Sequence, residues 1–349
     1  MVPEMASDSI LSSTTAGNAD VAEVVAVVER EYGFCVRSPK LYKGEYDTNI
    51  RFYDPDRGLL LAKVSTVDLS EEVIRWQETV LDAAAVSSEV NFATPIILPT
   101  LDGRKHVRTA RFLVRVVTWI SGRLMNDRSE SSRFNTELLM SLGEASARLT
   151  RALRAVTMPQ AVRQHEWMLH RGPEIVGESL TVLEARAVTQ GIADVGQIEI
   201  VREIADRFRT TVLPRMQGLP WTVIHHDLHD GNVVLNDEGT SVAGVIDFND
   251  AVFAPRISDL AISAGYAMLR QDAPERAFGA VVDGYRSITE PTSEELEVVG
   301  EMALMRLCMN WAQWQSRALD SEDNEYALMR SKFTWPLIDH LAGVGVPQV

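Results

Sequence analysis

Residues 223–260, VIHHDLHDGNVVLNDEGTSVAGVIDFNDAVFAPRISDL, constrain this chain more than any other part of it. A short apolar β segment at 221–224 runs into a loop crowded with histidines and aspartates. Two further β segments, 232–236 and 242–246, follow as a hairpin turning at Asp237-Glu238-Gly239-Thr240. So polar a loop between apolar strands must be held by its own hydrogen bonds. It contains H-x-D-x-x-x-x-N (His225, Asp227, Asn232), and Ile246-Asp247-Phe248 begins nineteen residues after Asp227. Phosphoryl transfer to an alcohol needs a carboxylate beside the attacking hydroxyl and oxygen ligands for Mg²⁺ bridging the phosphates. Asp227 is the candidate base and orienter. Asn232 offers a neutral oxygen, and Asp247, at the end of an apolar strand, a charged one. His225 is expected to buttress the loop, since this chemistry needs no histidine nucleophile.

The order of elements supplies a frame for that loop. Residues 20–31 predict a helix capped by Asp20; strands then flank Gly44, and Gly58 marks the next turn. A strand at 59–64 carries Lys63 in an apolar run. Residues 70–86 form an amphipathic helix capped by Ser70, and strands near 94–98 and 111–117 flank a turn at Asp102-Gly103. Residues 20–118 thus read as a small β-rich nucleotide-binding lobe, preceded by a loose Ser/Thr/Ala/Gly-rich tail at 1–19. Composition changes at 118–122. Helical periodicity then dominates over 133–154, 163–188, 196–217, 256–270, 275–288, 293–319 and 325–343, so 119–349 is the catalytic and acceptor-binding lobe. The predicted class is α+β, in a protein-kinase-like two-lobe arrangement.

A lysine buried mid-strand is costly unless it faces a phosphate or a carboxylate. The next helix offers Glu78, fifteen residues on, with Gln77, Glu72 and Glu71 as alternatives. The segment from Lys43 through Gly44, Tyr46 and Asp47 to Asn49 occupies the place of a phosphate-covering loop, with one glycine. Backbone N–H groups around Gly44, Asp47 and Asn49 are its candidate contacts. The connector Val117-Thr118-Trp119 is expected to offer main-chain groups to a purine edge.

Two rival readings compete. The cluster His225, His226, Asp227, His229 and Asp230 is rich in metal ligands and suggests a metallohydrolase, which leaves Lys63 and Asp247 unexplained. A nucleotide-binding pseudokinase is expected to lack the base or a metal ligand, and none is missing. A net charge of −15 excludes nucleic acid and anionic membrane as main partners and suits a cationic or zwitterionic small molecule. Two distant cysteines, Cys35 and Cys308, predict neither a disulfide nor a thiolate metal site, but thiols in a reducing cytoplasm. No apolar run spans a bilayer, and the first eighteen residues lack signal-peptide character. The expected state is a cytoplasmic monomer or homodimer.

The segment His225-His226-Asp227-Leu228-His229-Asp230-Gly231-Asn232 resembles the H-G-D-L-H-x-x-N loop of the aminoglycoside phosphotransferase/choline kinase superfamily. Val245-Ile246-Asp247-Phe248 resembles its metal segment, and Ser258-Asp259-Leu260-Ala261 its trailing D-L-A. The resemblance implies ATP or GTP as donor, Mg²⁺ as cofactor and a bracing role for Asp259. Residues 46–50, 115–122 and 244–268 look most like the hydroxylysine-kinase-like and homoserine-kinase-like group. That grouping implies a small amine-bearing alcohol, such as a hydroxy amino acid, as acceptor; an antibiotic O-phosphotransferase conferring resistance is the close alternative. His226 stands where glycine is usual, and its imidazole is expected to narrow the acceptor site or to donate a hydrogen bond there. Further candidates come from the helix at 301–320. Trp311 and Trp314 line an acceptor pocket or fill the core, and Arg317 pairs with a substrate carboxylate. Acidic residues follow at Glu322, Asp323 and Glu325.

Overall fold

The computed structural model describes residues 20–44, 47–127, 133–157, 166–190, 194–319 and 324–349. They form two compact units. One comprises the described residues up to Asp82 together with Pro95–Trp119; the other comprises Ala83–Thr94 and Ile120–Val349.

The smaller unit opens with α1 (Val21–Tyr32), capped by Asp20 and ended at Gly33 in a left-handed turn. Val24, Val27, Val28 and Tyr32 recur at helical spacing and form a core with Ile50, Phe52, Leu60, Ala62 and Val64. Those residues alternate along β2 (Thr48–Asp54) and β3 (Gly58–Thr66), which follow β1 (Arg37–Lys43). Next come α2 (Glu71–Val86), β4 (Ile97–Leu98), β5 (Val107–Arg108) and β6 (Phe112–Thr118). The antiparallel sheet runs β1-β2-β3-β6-β4, with β5 also on β6. Alternation turns Lys63 away from the α1 core. The chain leaves this unit within α2, at Asp82. Ala83–Thr94 is bound into the larger unit by Glu89, which pairs with Arg151 at 3.0 Å, and by Ala93, which exchanges backbone bonds with Ala243 and Val245.

The larger unit contains β7 (Arg123–Leu124), α3 (Thr136–Leu153), α4 (Gly172–Gln190), α5 (Val195–Arg207) and α6 (Leu213–Met216). Then follow β8 (Trp221–Ile224), β9 (Val233–Leu235), β10 (Val242–Val245) and β11 (Val252–Pro255). The chain finishes with α7 (Ser258–Ala267), α8 (Pro274–Arg286), α9 (Ser293–Ala318), α10 (Asn324–Ser331) and α11 (Thr334–Val344). Strands β10-β9-β7 form one sheet, and β8 pairs with β11 in a two-stranded ribbon. Helix α9 begins at a capping box of Thr292 and Glu295 and is buried on all sides through its middle. Among the described residues no helix is long and apolar enough to cross a membrane.

Several segments depart from the sequence reading, among them the helix expected at 163–188, whose α-helical part begins at Gly172. The helix expected at 196–217 is interrupted by a π-turn at Phe208–Val212, because Pro214 removes a backbone donor and crowds the preceding turn. The helix expected at 325–343 breaks at 332–333, where Pro336 lies in the first turn of α11. Residues 252–255, without strong alternation, form a strand because β8 offers an unpaired edge.

Helices α3 and α8 meet through two glycines. A Cβ on Gly143 would strike the Val281 carbonyl, and one on Gly284 would strike the Met140 carbonyl. Alanine at either position therefore overpacks a backbone contact and is expected to cost about 1–3 kcal/mol. Alanine at Gly177 of α4, where nothing described lies within 4 Å, is expected to gain roughly 0.5–1 kcal/mol from helix propensity. Urea midpoints of the three variants check both signs.

Candidate active site

Ribbon β8–β11 aligns Ile224 with Val252 and delivers the chain to α7, so Asp259 meets the loop that leaves β8. Asp259 is fully buried. Its Oδ2 accepts the His225 N–H at 2.9 Å and its Oδ1 the His226 N–H at 2.7 Å. Consecutive N–H groups converge on one carboxylate because His226 adopts a left-handed backbone, φ 69°. Burial pushes the Asp259 pKa up, opposed by His225 and by the two N–H donors. His225 Nδ1 accepts the Asp227 N–H at 3.2 Å, so the ring's proton sits on Nε2, which donates to the Ile246 carbonyl at 3.1 Å. The ring stands edge-on to Phe248, centroids 4.6 Å apart. One imidazole thereby links the Asp227 loop to the Asp247 segment.

Asp227 is 18% exposed and surrounded by donors. Asn232 Nδ2 bonds its Oδ2 at 2.7 Å and its backbone oxygen at 2.9 Å. Arg306 Nη2 bonds Oδ1 at 2.8 Å, and His229 Nε2 lies 3.4 Å from Oδ2. Burial raises the Asp227 pKa, but His229 and Arg306 beside it prevail and hold the carboxyl well below the usual carboxylate range. The Gly231 N–H donates to His229 Nδ1 at 2.8 Å, which puts that ring's proton on Nε2, facing Asp227.

Arg306 was not among the sequence candidates. It sits on α9, 2% exposed, donates to the Trp167 carbonyl at 3.1 Å and lies 4.8 Å over the Trp167 ring. Its signal was the charge inside Met302-Ala303-Leu304-Met305-Arg306-Leu307-Cys308. A guanidinium that deep requires a partner, and the partner is Asp227.

With Nδ2 committed to Asp227, Asn232 Oδ1 is the side-chain atom that could meet a cation. Asp247 follows β10 at φ 63°, and the Ile246 N–H bonds the Asn232 carbonyl at 2.9 Å. An amide oxygen and a carboxylate are hard donors of the kind Mg²⁺ takes. Among the described residues no three or more His, Cys, Asp or Glu side chains converge as a metal cage. Of the histidines that suggested a metallohydrolase, the rings of His225 and His229 are spent on the loop's own bonds.

In the smaller unit, Lys63 Nζ lies 3.6 Å from Asp47 Oδ2, and Asp47 Oδ1 accepts Ser65 Oγ at 2.7 Å. This corrects the assignment of Glu78 as the lysine's carboxylate. Glu78 Oε1 bonds His106 Nδ1 at 2.8 Å, and Gln77 accepts from Arg115. The strand neighbour prevails because Lys63 pairs in register with Asn49, two residues from Asp47. Gly44 closes that loop by donating to the Asp47 carbonyl at 2.9 Å; Tyr46 lies outside the described residues. In the connector, Val117 pairs with Leu61 and Ile97, and the Trp119 N–H donates to the Leu59 carbonyl. The Trp119 ring packs on Tyr42 with Arg51 over it.

The proposed acceptor residues resolve mainly as packing. Trp311 is buried against Trp335, and Trp314 is buried beneath Arg317 and Arg330. Arg317 pairs with Glu166 at 2.9 Å. His226 is buried as well. Glu322 and Asp323, and the side chain of Glu325, lie outside the described residues.

Residues 42–297 match the phosphotransferase enzyme family. The chain is similar to hydroxylysine kinase of Mus musculus, 24% identical over 358 residues, which covers 93% of this chain and 89% of that protein. It is also similar to the Xenopus laevis hydroxylysine kinase, 25% identical over 218 residues, 60% of this chain and 57% of that protein. Among solved structures, an amicoumacin kinase in complex with AMP-PNP, Ca²⁺ and Ami superposes with a TM-score of 0.67 at 15% identity, covering 93% of this chain and 94% of that one. A microcompartment-associated aminopropanol kinase gives 0.62 at 15% identity, over 93% and 98%. With most of its length inside the family match and a kinase-like fold around the Asp227 loop, the chain belongs to the phosphotransferase enzyme family.

Proposed function

We propose that this protein is a Mg²⁺-dependent small-molecule kinase. It moves the γ-phosphoryl of ATP or GTP to a hydroxyl of a small amine-bearing acceptor, a hydroxy amino acid in the reading favoured by its similarity to hydroxylysine kinases. The observation that carries this is Asp227: a partly open carboxylate held ionised between Arg306 and Asn232. The acceptor hydroxyl donates to Asp227, which aligns its oxygen for in-line attack and takes its proton as the P–O bond forms. A carboxylate of such low basicity accepts the proton late, so alignment is its larger contribution. Asn232 and Asp247 would hold Mg²⁺, which when bound would supply charge neutralisation to the phosphates. Lys63, steered by Asp47, holds the α- and β-phosphates. His225 and Asp259 keep the loop in shape. Transfer is direct, without a phosphoenzyme.

The test is nucleoside diphosphate release across hydroxy amino acids, amino alcohols and hydroxylated antibiotics, with ATP and with GTP. Release only with antibiotics would replace the metabolic reading by a resistance one. Asp227→Asn is expected to lower turnover by roughly 100- to 10,000-fold while nucleotide affinity persists; near-native turnover would refute the role.

A second prediction concerns pH. The Asp227 pKa is depressed in the folded protein, so its contribution to stability is present above the unfolded value, about 3.9, and is lost as pH falls through the folded one. The native enzyme should therefore show no acid limb from Asp227 above about pH 4. Arg306→Gln removes a lowering charge. It is expected to shift the acid limb of kcat/KM upward and to cut kcat roughly 10- to 100-fold, the scale of one charge-assisted hydrogen bond. A pH–rate profile that falls in height without shifting would count against this electrostatic role.

A further inference from the structure

We propose that the acceptor carries a carboxylate and that Arg270 holds it beside the loop, an inference that rests on the phosphotransfer reading above. Arg270 follows α7 in a left-handed backbone conformation, φ 60°, which costs a non-glycine residue about 1 kcal/mol or more and is retained where the surroundings or the function require it. Its side chain is only 11% exposed. Its guanidinium lies 4.6 Å over the Phe333 ring, a stack that fixes the plane and leaves the N–H edge to bind. The carboxylate facing it is Asp230 of the loop, at 3.9 Å from Nη2, beyond hydrogen-bond distance, and its Nε is buried without a hydrogen bond. A buried guanidinium so arranged is built for a planar, two-oxygen anion.

Its position suits an acceptor. Asp230 is three residues beyond Asp227, and Tyr266, one helical turn before Arg270, packs its ring 5.2 Å from His229, which faces Asp227. Arg330, over Trp314, opposes with its charge the upward push of burial on the Tyr266 phenol, so a second guanidinium adds positive potential on this side of the loop. The hydroxyl of a hydroxy amino acid would meet Asp227 while its carboxylate meets Arg270. A polycationic sugar would set ammonium groups against the same arginine.

The test uses matched acceptors with the full-length protein: homoserine against aminopropanol, and hydroxylysine against the diamino alcohol left when its carboxyl group is removed, with an aminoglycoside alongside. The native enzyme is expected to show a KM at least roughly tenfold lower for the carboxylated member of a pair, the scale of one charge-assisted contact. Arg270→Gln should bring the ratio near one, chiefly through KM, and Arg270→Lys should restore part of it. Equal KM values in the native enzyme, or an Arg270→Gln loss shared by both members, would overturn the inference, and the latter would make Arg270 a brace for Asp230. If Arg270→Gln does not fold, the native ratio alone decides. Product with the decarboxylated or aminoglycoside acceptors alone overturns the inference and leaves phosphotransfer standing. No product with any acceptor overturns phosphotransfer itself.

Discussion

Two adjacent backbone N–H groups end on one buried carboxylate, and the reactive loop takes its shape from that contact. Without Asp259, the amides of His225 and His226 would lie buried and unbonded, at a cost of roughly 1–3 kcal/mol each. With it, the chain must reverse sharply at His226, and a left-handed residue makes the reversal. This gives the family's usual glycine at that position a physical reason: glycine adopts φ near 69° without Cβ strain. Here a histidine occupies the same conformation and fills the space with a buried ring. The substitution is thus a backbone matter first, and its side chain is packed inside the protein.

From that anchored turn the remaining contacts follow in sequence. The Asp227 N–H falls on His225 Nδ1, which sets the tautomer and sends the Nε2 proton to Ile246. Ile246 in turn bonds Asn232, whose amide reaches back to Asp227. Asp227 and Asn232, with Asp247 next to Ile246, are placed by one hydrogen-bonded ring of residues. Arg306 enters from α9, far away in sequence, and fixes the ionisation state of the assembly.

The sequence made the loop legible because its parts are local. His225, Asp227, Asn232 and Asp247 fall within twenty-three residues, and their spacing is set by one hairpin. The order of a β-rich region and a helical region was legible for a similar reason, since alternation and helical periodicity are short-range patterns. What was not legible depends on packing between distant segments. Glu78 and Asp47 both stand within reach of Lys63 in sequence; only the register of β2 against β3 selects Asp47. Arg306 is seventy-nine residues from Asp227, and the pattern of α9 shows a buried charge without naming its partner. Trp311, Trp314 and Arg317 attracted attention because aromatic and charged residues stand out in a sequence. Burial and the ion pair with Glu166 account for them in the structure.

Net charge alone leaves the choice between a cationic and a zwitterionic ligand open, and local contacts bear on it. The chain carries −15 overall, which taken alone suits a cationic or a zwitterionic ligand alike. That charge is spread over many surface residues, and salt screens it beyond roughly 8–10 Å. Near the loop the balance is set by contacts much shorter than that. Asp227 is matched by Arg306 at 2.8 Å, and Asp230 faces Arg270 at 3.9 Å. Arg330 adds a positive charge that Tyr266 registers. Contacts of this range, more than the net charge, would set the field met by an acceptor that reaches Asp227. Long-range attraction would draw its ammonium group toward the protein, and the short-range field would orient its carboxylate. A zwitterion satisfies both, whereas a polycation satisfies only the first.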